Sequence, residues 1–226
     1  MLMQSAVPSR IAKDAAVTKP GHVPTATEDA IDMMGAPMSF RRNAEIYGED
    51  EPADYLYKVV SGAVRTYKLL SDGRRQIGAF YLPGDVFGLE SGSVHSLSAE
   101  AISDTKVLVI KRRALVALAA RDNGVASQLW TITARELQRA QDHVLALIKT
   151  AEERVVGFLL EMASRVRGGN QIDLPMSRQD IADYLGLTIE TVSRTMTHLE
   201  DTAAIELPSS RKVVLRNRAA LGRLTG

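Results

Sequence analysis

The sequence contains no cysteine, and this absence excludes several kinds of chemistry before any pattern is considered. A chain without thiols forms no disulfide, has no thiolate nucleophile, and holds no zinc or iron–sulfur site that depends on sulfur ligands. Histidine is scarce as well, and its four copies share no ligand spacing. They are His22, His95, His143 and His198. We therefore expect no metal site.

Long apolar runs and an excess of one charge are also missing. No run approaches the length of about 18 apolar residues that suggests a membrane-spanning helix, and the N-terminal stretch MLMQSAVPSRIAKDAA lacks the apolar core of a signal peptide. The net charge of +1 gives no general argument for a nucleic-acid partner. The 226 residues, 45% of them hydrophobic and 24% charged, indicate a globular protein with a sizeable core. We expect it to be cytoplasmic, without a membrane partner.

The composition and hydrophobic periodicity of the sequence change along the chain. They predict an α+β protein in four parts. Residues 1–38 lack sustained periodicity and are expected to form a flexible arm. Residues 39–123 contain short runs rich in Val, Tyr, Ile and Leu, separated by SG, SDG and PGD, which favours an antiparallel β-roll of the jelly-roll kind. A long helix over 124–150 and a C-terminal unit over 151–226 follow. A β-domain without any site is an alternative interpretation of the second part.

Two helices are predicted after the β-roll. The stretch RRALVALAARDNG indicates a short helix that ends near Asn123 and Gly124, since glycine suits a C-terminal cap. The longer one, from about Val125 to Thr150, carries residues at alternating spacings of three and four, the rhythm of a coiled coil. These residues are Trp130, Thr133, Leu137, Ala140, Val144, Leu147 and Ala151. We expect this face to meet a second copy of the chain, although a helix buried within one monomer would show the same pattern.

A second apolar set lies around the same helix and is expected to pack on the β-domain. It consists of Leu129, Ile132, Leu145 and Ile148. The next stretch, AEERVVGFLLEMASRV, predicts another amphipathic helix, and RGGNQIDL predicts a loop after it.

The stretch PMSRQDIADYLGLTIETVSRTMTHLE predicts a helix-turn-helix. Ser177 is a suitable N-cap, and Asp180 completes a capping box with it. Gly186 permits a tight turn, and Thr188 caps a second helix that extends to about Thr202. Val192, Met196 and Leu199 occupy the inner face of that helix, with the spacing of a buried stripe. A short capped helix followed by a second helix with polar groups near its start is typical of DNA readers.

The outward face of the second helix carries the chemistry that reads base edges. Arg194 can donate two hydrogen bonds to guanine, Glu190 can accept from the cytosine amino group, and Ser193 can contact base edges. The alternative is an exposed ion pair between Glu190 and Arg194, which is common on helix surfaces.

Beyond this helix, the stretch IELPSSRKVVLRN predicts two strands that form a wing. From Leu207 to Gly226 there are five basic residues and no acidic one, which favours phosphate binding. The five are Arg211, Lys212, Arg216, Arg218 and Arg223. The predicted phosphate and other DNA contacts are Ser177, Arg178, Gln179, Thr188, Ile189, Thr191, Thr197, Arg211 and Lys212.

From about residue 40 onward the chain resembles the CRP/FNR superfamily of transcription regulators, and within it the FixK branch. The resemblance is carried by SGAVRTYKLLSDGRRQIGAFYLPGDVFGLE and by SRQDIADYLGLTIETVSRTMTHLE. It implies a homodimer that reads a palindrome of the TTGA…TCAA kind through Glu190, Ser193 and Arg194, and that activates transcription by contacting RNA polymerase. The implied polymerase contacts are Ser71, Asp72, Gly73, Arg74 and Arg75, with Arg167, Gly168, Gly169, Asn170 and Gln171.

Departures from the family pattern refine what the resemblance implies. The absence of cysteine excludes the cluster held by oxygen-sensing members. Leu89 and Leu97 stand where the cyclic-AMP receptor has its ribose-binding and phosphate-binding side chains, so a buried phosphate would lack a charge partner there. FixK-type members imply control without a cofactor, in low-oxygen respiration and nitrogen fixation. Some of them have cysteine where Ser177 stands, so a redox response through that thiol would be absent.

Two alternatives remain. One is a regulator gated by haem or a small molecule in the β-roll, where His95 is the sole histidine and is expected to be a solvated loop residue. The other is a cupin-like metalloenzyme, which would need clustered histidines that this sequence does not have.

Overall fold

A computed structural model describes residues 31–165 and 169–224, and within them the β-roll is built from two antiparallel sheets of four strands. One sheet has the order β1-β8-β3-β6 and the other β2-β7-β4-β5. The strands are β1 (Ala36–Phe40), β2 (Glu45–Tyr47), β3 (Tyr55–Ser61), β4 (Val64–Leu69), β5 (Arg75–Tyr81), β6 (Val86–Phe87), β7 (Ser98–Ala101) and β8 (Thr105–Lys111). The predicted β-roll is therefore confirmed, and its first strand begins within the segment assigned to the arm. Residues 31–34 of that segment are helical, and residues 1–30 lie outside the described part.

Aromatic and β-branched side chains fill the space between the two sheets. Tyr57 and Val107 come from one sheet and Tyr47 and Val64 from the other, and all four are buried in one cluster. Residues of this kind pack well on pleated surfaces, which is why the short apolar runs form strands. Gly62 makes the tight turn between β3 and β4, where φ is +84° and a Cβ would lie 2.5 Å from the carbonyl oxygen of Asp104.

Helix α1 (Arg112–Ala119) and the long helix α2 (Asn123–Ala146) follow the roll. The prediction that Gly124 caps the end of the first helix is wrong. Gly124 lies in the first turn of α2, and the carboxylate of Asp122 accepts hydrogen bonds from the backbone N–H groups of Gly124 and Val125. An N-cap acid therefore determines this boundary, and α1 ends earlier, at Ala119.

The apolar contacts of the long helix with the β-domain lie in its first half. Leu129 and Ile132 pack against a buried cluster that includes Leu56 and Leu115, as predicted. Leu145 and Ile148 were expected to do the same, but they are 57% and 83% exposed. The reason is that this cluster contacts the helix near its start, whereas Leu145 lies at its far end and Ile148 lies just beyond it.

Over residues 151–165 and 169–224, the C-terminal unit consists of four helices and a three-stranded sheet. The helices are α3 (Ala151–Arg165), α4 (Arg178–Leu185), α5 (Ile189–Asp201) and α6 (Arg218–Arg223), and the strands are β9 (Gln171–Asp173), β10 (Ile205–Ser209) and β11 (Lys212–Leu215). The predicted winged helix-turn-helix is confirmed. Strand β9 lies where a loop was predicted, and it pairs with β11 through Ile172, which is fully buried. No helix among the described residues is long and apolar enough to span a membrane.

Candidate nucleic-acid interface

The helix-turn-helix begins at a complete capping box. The hydroxyl of Ser177 accepts from the backbone N–H of Asp180 at 3.1 Å, and the carboxylate of Asp180 accepts from the backbone N–H of Ser177 at 3.0 Å. Two N–H groups that the helix leaves without partners are thereby satisfied. Burial alone would raise the pKa of the Asp180 carboxyl, but hydrogen bonds from Ser177 and the charges of Arg65 and Arg75 outweigh it, so that the pKa lies below its usual range.

Gly186 sets the turn between the two helices. Its φ of +63° is a left-handed conformation that glycine adopts without a steric penalty, and its N–H donates to the carbonyl of Ala182. Leu187 follows and packs half-buried against the core. Thr188 comes directly after this turn. Its hydroxyl accepts a hydrogen bond from the N–H of Thr191 at 3.2 Å and caps helix α5.

Helix α5 divides into a buried face and an open face. Val192, Met196 and Leu199 are at most 1% exposed, as the spacing predicted. Glu190 and Arg194 are exposed on the opposite face, and Ser193 beside them is half-buried. Ile189 and Thr197 are also exposed. The three residues predicted to read bases therefore lie together near the start of a helix whose opposite face is buried in the core.

The charges on this face are not tied to each other. The pKa of Glu190 is lowered chiefly by its own backbone N–H and by the Thr188 hydroxyl, while the charge of Arg194 makes the smallest contribution. No ion pair joins Glu190 and Arg194. The alternative interpretation of these residues, an exposed ion pair on the helix surface, is therefore not supported. Both side chains keep hydrogen-bonding capacity for an external partner.

The predicted phosphate contacts fall into two groups. Thr188, Ile189 and Thr197 are exposed, and Thr191 is half-buried beside the cap. Other side chains have partners within the chain: the Ser177 hydroxyl also bonds the Asp180 carboxylate, Gln179 donates to Asp183, and Arg211 donates to the carbonyl of Pro175. Arg178 is half-buried, and burial lowers its pKa.

The wing is less basic than its sequence suggested, because acids from elsewhere reach it. Arg216 forms an ion pair with Glu206 on the neighbouring strand, and the ammonium of Lys212 lies 4.0 Å from the carboxylate of Asp173 on β9. Inferring unpaired bases from the absence of acids between Leu207 and Gly226 is therefore wrong for these two residues. Strand pairing explains the error, since it joins segments that lie apart in the sequence.

The predicted dimer face is largely solvent-exposed in the single chain. Trp130, Leu137 and Val144 are 75%, 58% and 63% exposed, and they repeat every seven residues along one side of α2. Thr133 and Ala140 are exposed between them. Leu147 is the C-cap of α2, and Ala151 is the first residue of α3, so these two lie beyond the long helix itself. Apolar stripes of this kind on protein surfaces are typical of interaction sites.

The two loops predicted to contact RNA polymerase differ in their exposure and in their contacts with the rest of the fold. Ser71, Asp72, Gly73 and Arg74 form the exposed tip of the β4–β5 hairpin, whereas the guanidinium of Arg75 is bound to Asp180 and Asp183 of the C-terminal unit. In the second loop, Gly169 and Asn170 form a turn and Gln171 begins β9, with Asn170 and Gln171 exposed. Arg167 and Gly168 lie outside the described residues.

A cavity of about 300 Å³ lies in the β-roll against helix α2. Both arginines that line it are paired with acids. Asp85 accepts from Arg139 at 2.9 Å and from Arg165 at 2.7 Å, and each arginine has a second acidic partner, Glu136 for Arg139 at 2.6 Å and Glu161 for Arg165 at 3.0 Å. Leu97 occupies the space above Gly78, where a Cβ would come within 2.8 Å of it. A cyclic nucleotide would find no uncompensated cation for its phosphate, so these residues do not fit that ligand.

His95 is buried rather than solvated, contrary to expectation. It is 1% exposed, its ring stacks on Tyr47 at 3.6 Å, and burial lowers its pKa. Glu90 lies 3.6 Å from its Nδ1 atom. His95 does not line the cavity, and within 31–165 and 169–224 no three His, Cys, Asp or Glu side chains form a group suited to a metal ion.

The sequence did not reveal the link between the β-roll and the helix-turn-helix. Arg65 on β4 and Arg75 on β5 both donate to Asp180, at 2.8 and 2.6 Å. Asp180 was identified only as a cap. Its partners lie 115 and 105 residues away in the sequence, so no local spacing could have identified them.

Comparisons with known proteins agree with this architecture. Residues 37–122 match the model of the cyclic nucleotide-binding domain, and residues 153–224 match that of the Crp-like helix-turn-helix domain. The chain is 54% identical to the nitrogen fixation regulation protein FixK of Azorhizobium caulinodans, over 84% of this chain and 79% of that one, and 43% identical to FixK of Rhizobium meliloti, over 82% and 89%. The solved structure of FixK2 from Bradyrhizobium japonicum matches with a TM-score of 0.82 and 57% identity, covering 85% of this chain and 98% of that one.

Proposed function

The chain belongs to the CRP/FNR family of transcription regulators and resembles its FixK members, and we propose that it binds palindromic DNA as a homodimer and activates transcription. The observation that carries this proposal is the open face of α5. Glu190 and Arg194 are exposed at the start of a capped, anchored helix, with Ser193 beside them. Acceptor, hydroxyl and bidentate donor are the groups that distinguish base pairs in the major groove.

The dimer is supported by the apolar stripe of α2. Exposure of Trp130, Leu137 and Val144 to water along one side of the helix is unfavourable. Pairing with the same stripe of a second copy would bury these side chains. A symmetric dimer carries two reading helices, which is the arrangement that a palindromic site requires.

Activation is proposed to use the exposed β4–β5 hairpin tip as a contact with RNA polymerase. Ser71 to Arg74 project from the β-roll, and among the described residues Arg74 pairs with its exposed neighbour Asp72 alone. The names of the FixK relatives refer to nitrogen fixation, and we propose that process as the regulated one. Regulation would take place without a cyclic nucleotide, because the cavity offers its phosphate no free cation.

Selection from a pool of random double-stranded DNA tests the proposal directly. We expect enrichment of a palindrome of the TTGA…TCAA kind, with half-site centres about 34 Å apart, one helical turn. Enrichment of an asymmetric single site would exclude the dimeric reading mode, and the absence of any enrichment would exclude sequence-specific binding. Adding cyclic AMP to the same binding reaction should leave the affinity unchanged.

A further inference from the structure

Two arginines of the β-roll converge on one buried carboxylate of the helix-turn-helix. Nη1 of Arg65 donates to Oδ1 of Asp180 at 2.8 Å, and Nη2 of Arg75 donates to the same oxygen at 2.6 Å. The two arginines lie on neighbouring strands, and Asp180 is 3% exposed. A carboxylate that accepts from two guanidinium groups is held at a fixed point relative to both strands, because charge-assisted hydrogen bonds have strong geometric preferences.

The contact extends along most of helix α4. Nε of Arg75 also donates to Asp183 at 2.8 Å, and the side-chain amide of Gln76 donates to the carbonyl of Tyr184 at 3.3 Å. Strand β5 therefore holds α4 at three positions over little more than one turn. Contacts at several points along an axis restrict its direction as well as its location.

The same carboxylate connects this contact to the reading helix. While Oδ1 of Asp180 accepts from the arginines, Oδ2 accepts from the backbone N–H and the hydroxyl of Ser177, which caps the start of α4. Helix α4 in turn leads through Gly186 into α5. Any tilt of α4 relative to the β-roll therefore changes where Glu190 and Arg194 lie.

We propose that Arg65 and Arg75 are positioning residues that set the angle at which the β-roll carries the DNA-reading unit, and hence the spacing between the two reading helices of a dimer. This inference rests on the proposed function, since it concerns how a dimer meets a palindrome. Neither arginine touches DNA in this role. Both act through Asp180, Asp183 and the helix that these two acids belong to.

Apolar packing also joins the same two units. Phe80 of the β-roll packs on Phe158 and Tyr184, with ring centroids 6.1 and 5.2 Å apart. Apolar attraction is less directional than a charge-assisted hydrogen bond, so the arginine contacts restrict the orientation more narrowly than this packing does. The docked arrangement leaves Glu190 and Arg194 exposed, so it is compatible with DNA reading. Loosening the arginine contacts should therefore weaken binding to a palindrome rather than release a blocked helix.

The test compares the full-length wild type with Arg75→Gln and with Arg113→Gln, which removes the same charge from an exposed site on helix α1 of the β-roll. Affinity is measured on the selected palindrome, on versions with one or two base pairs added or removed at the centre, and on a single half-site. We expect Arg75→Gln to bind the best palindrome at least about tenfold more weakly and to bind the half-site within about threefold of wild type, because lost preorganisation affects simultaneous engagement of two sites. The affinity of Arg75→Gln should also vary less with spacer length than that of wild type, while Arg113→Gln should keep the wild-type dependence on spacer length.

A second variant approaches the contact from the other side. Asp183→Asn removes the charge of one of the two acids that bind Arg75, and its effect on the palindrome should not add to that of Arg75→Gln when the two are combined. If Arg75→Gln fails to fold, Asp183→Asn carries the same comparison alone. A wild-type spacer profile in both variants, or an equal loss on palindrome and half-site, would overturn the inference. Failure of the wild-type protein to prefer the palindrome over scrambled DNA would instead overturn the proposed function.

Discussion

The reading helix and the interior of the molecule use the same charged residue types in opposite ways. On α5, Glu190 and Arg194 are exposed and form no ion pair with each other. Inside, Asp85 and Asp180 are each held by two arginines, at distances between 2.6 and 2.9 Å. Hydrogen-bonding capacity is left free where an external partner can use it, and it is used up where it joins parts of the fold.

This contrast separates the expected effects of mutation. An exposed charge contributes little to stability, since water solvates it in the folded and unfolded states alike. Removing one partner of a buried pair leaves the other charge desolvated, which costs far more. Substitutions in the interior should therefore lower the free energy of unfolding, and substitutions on the reading face should change DNA recognition without changing stability.

The strongest test of this contrast is Asp180→Ala. The change leaves Arg65 and Arg75 without their shared acceptor and removes half of the capping box, so we expect the free energy of unfolding to fall by about 3–5 kcal/mol. Denaturant unfolding measures it. Asp72→Ala is the matched control, because Asp72 pairs with Arg74 at the exposed hairpin tip. Equal losses in the two variants would show that burial does not determine how much these carboxylates contribute to the free energy of unfolding.

The next largest effect concerns an exposed surface that the proposed dimer would bury. Leu137→Glu places a carboxylate on the apolar stripe of each protomer, and we expect the dimer to dissociate at least 100-fold more readily, about 3 kcal/mol. Sedimentation at several concentrations measures the change. Leu69→Glu, at a 63% exposed leucine of β4, is the control and should leave assembly unchanged. A dimer that tolerates Leu137→Glu would place the interface elsewhere.

A smaller effect, confined to recognition, is expected for Arg194→Ala. Loss of a bidentate donor should reduce discrimination at one guanine by about 1–3 kcal/mol while the free energy of unfolding stays constant. Gel-shift titrations on matched and substituted palindromes measure discrimination. Arg218→Ala, an exposed basic residue at the start of α6, is the comparison, and any loss there should be the same on both sequences. An equal loss on both sequences for Arg194→Ala would contradict its role in reading bases.

The same division between local and distant contacts explains how much the sequence could predict. The helix-turn-helix followed from neighbouring residues, because a cap, a turn glycine and a buried stripe each lie within a few positions of one another. The two arginine partners of Asp180 lie more than 100 residues away, so they became visible only in the fold. Strand β9 was missed for the same reason, since its pairing with β11 spans the whole helix-turn-helix.

Errors in the helical region came from competing local signals and from tertiary geometry. Asp122 and Gly124 both mark helix ends, and the acid determined the boundary because its carboxylate caps α2. Leu145 and Ile148 have a buried spacing, but the β-domain does not extend to their end of the helix. In the β-roll, His95 was expected to be a solvated loop residue, but its ring stacks on Tyr47, which belongs to a strand far away in the sequence.

The smallest predicted effect compares the two caps of the helix-turn-helix. Thr188 caps the exposed reading helix through one bond to the N–H of Thr191, so Thr188→Ala should lower the free energy of unfolding by about 1 kcal/mol. Ser177→Ala should cost more, because the Ser177 hydroxyl also bonds the buried carboxylate that holds Arg65 and Arg75. Denaturant midpoints for both variants give the ranking. Equal costs would mean that the Ser177 cap gains nothing from its attachment to the buried charges.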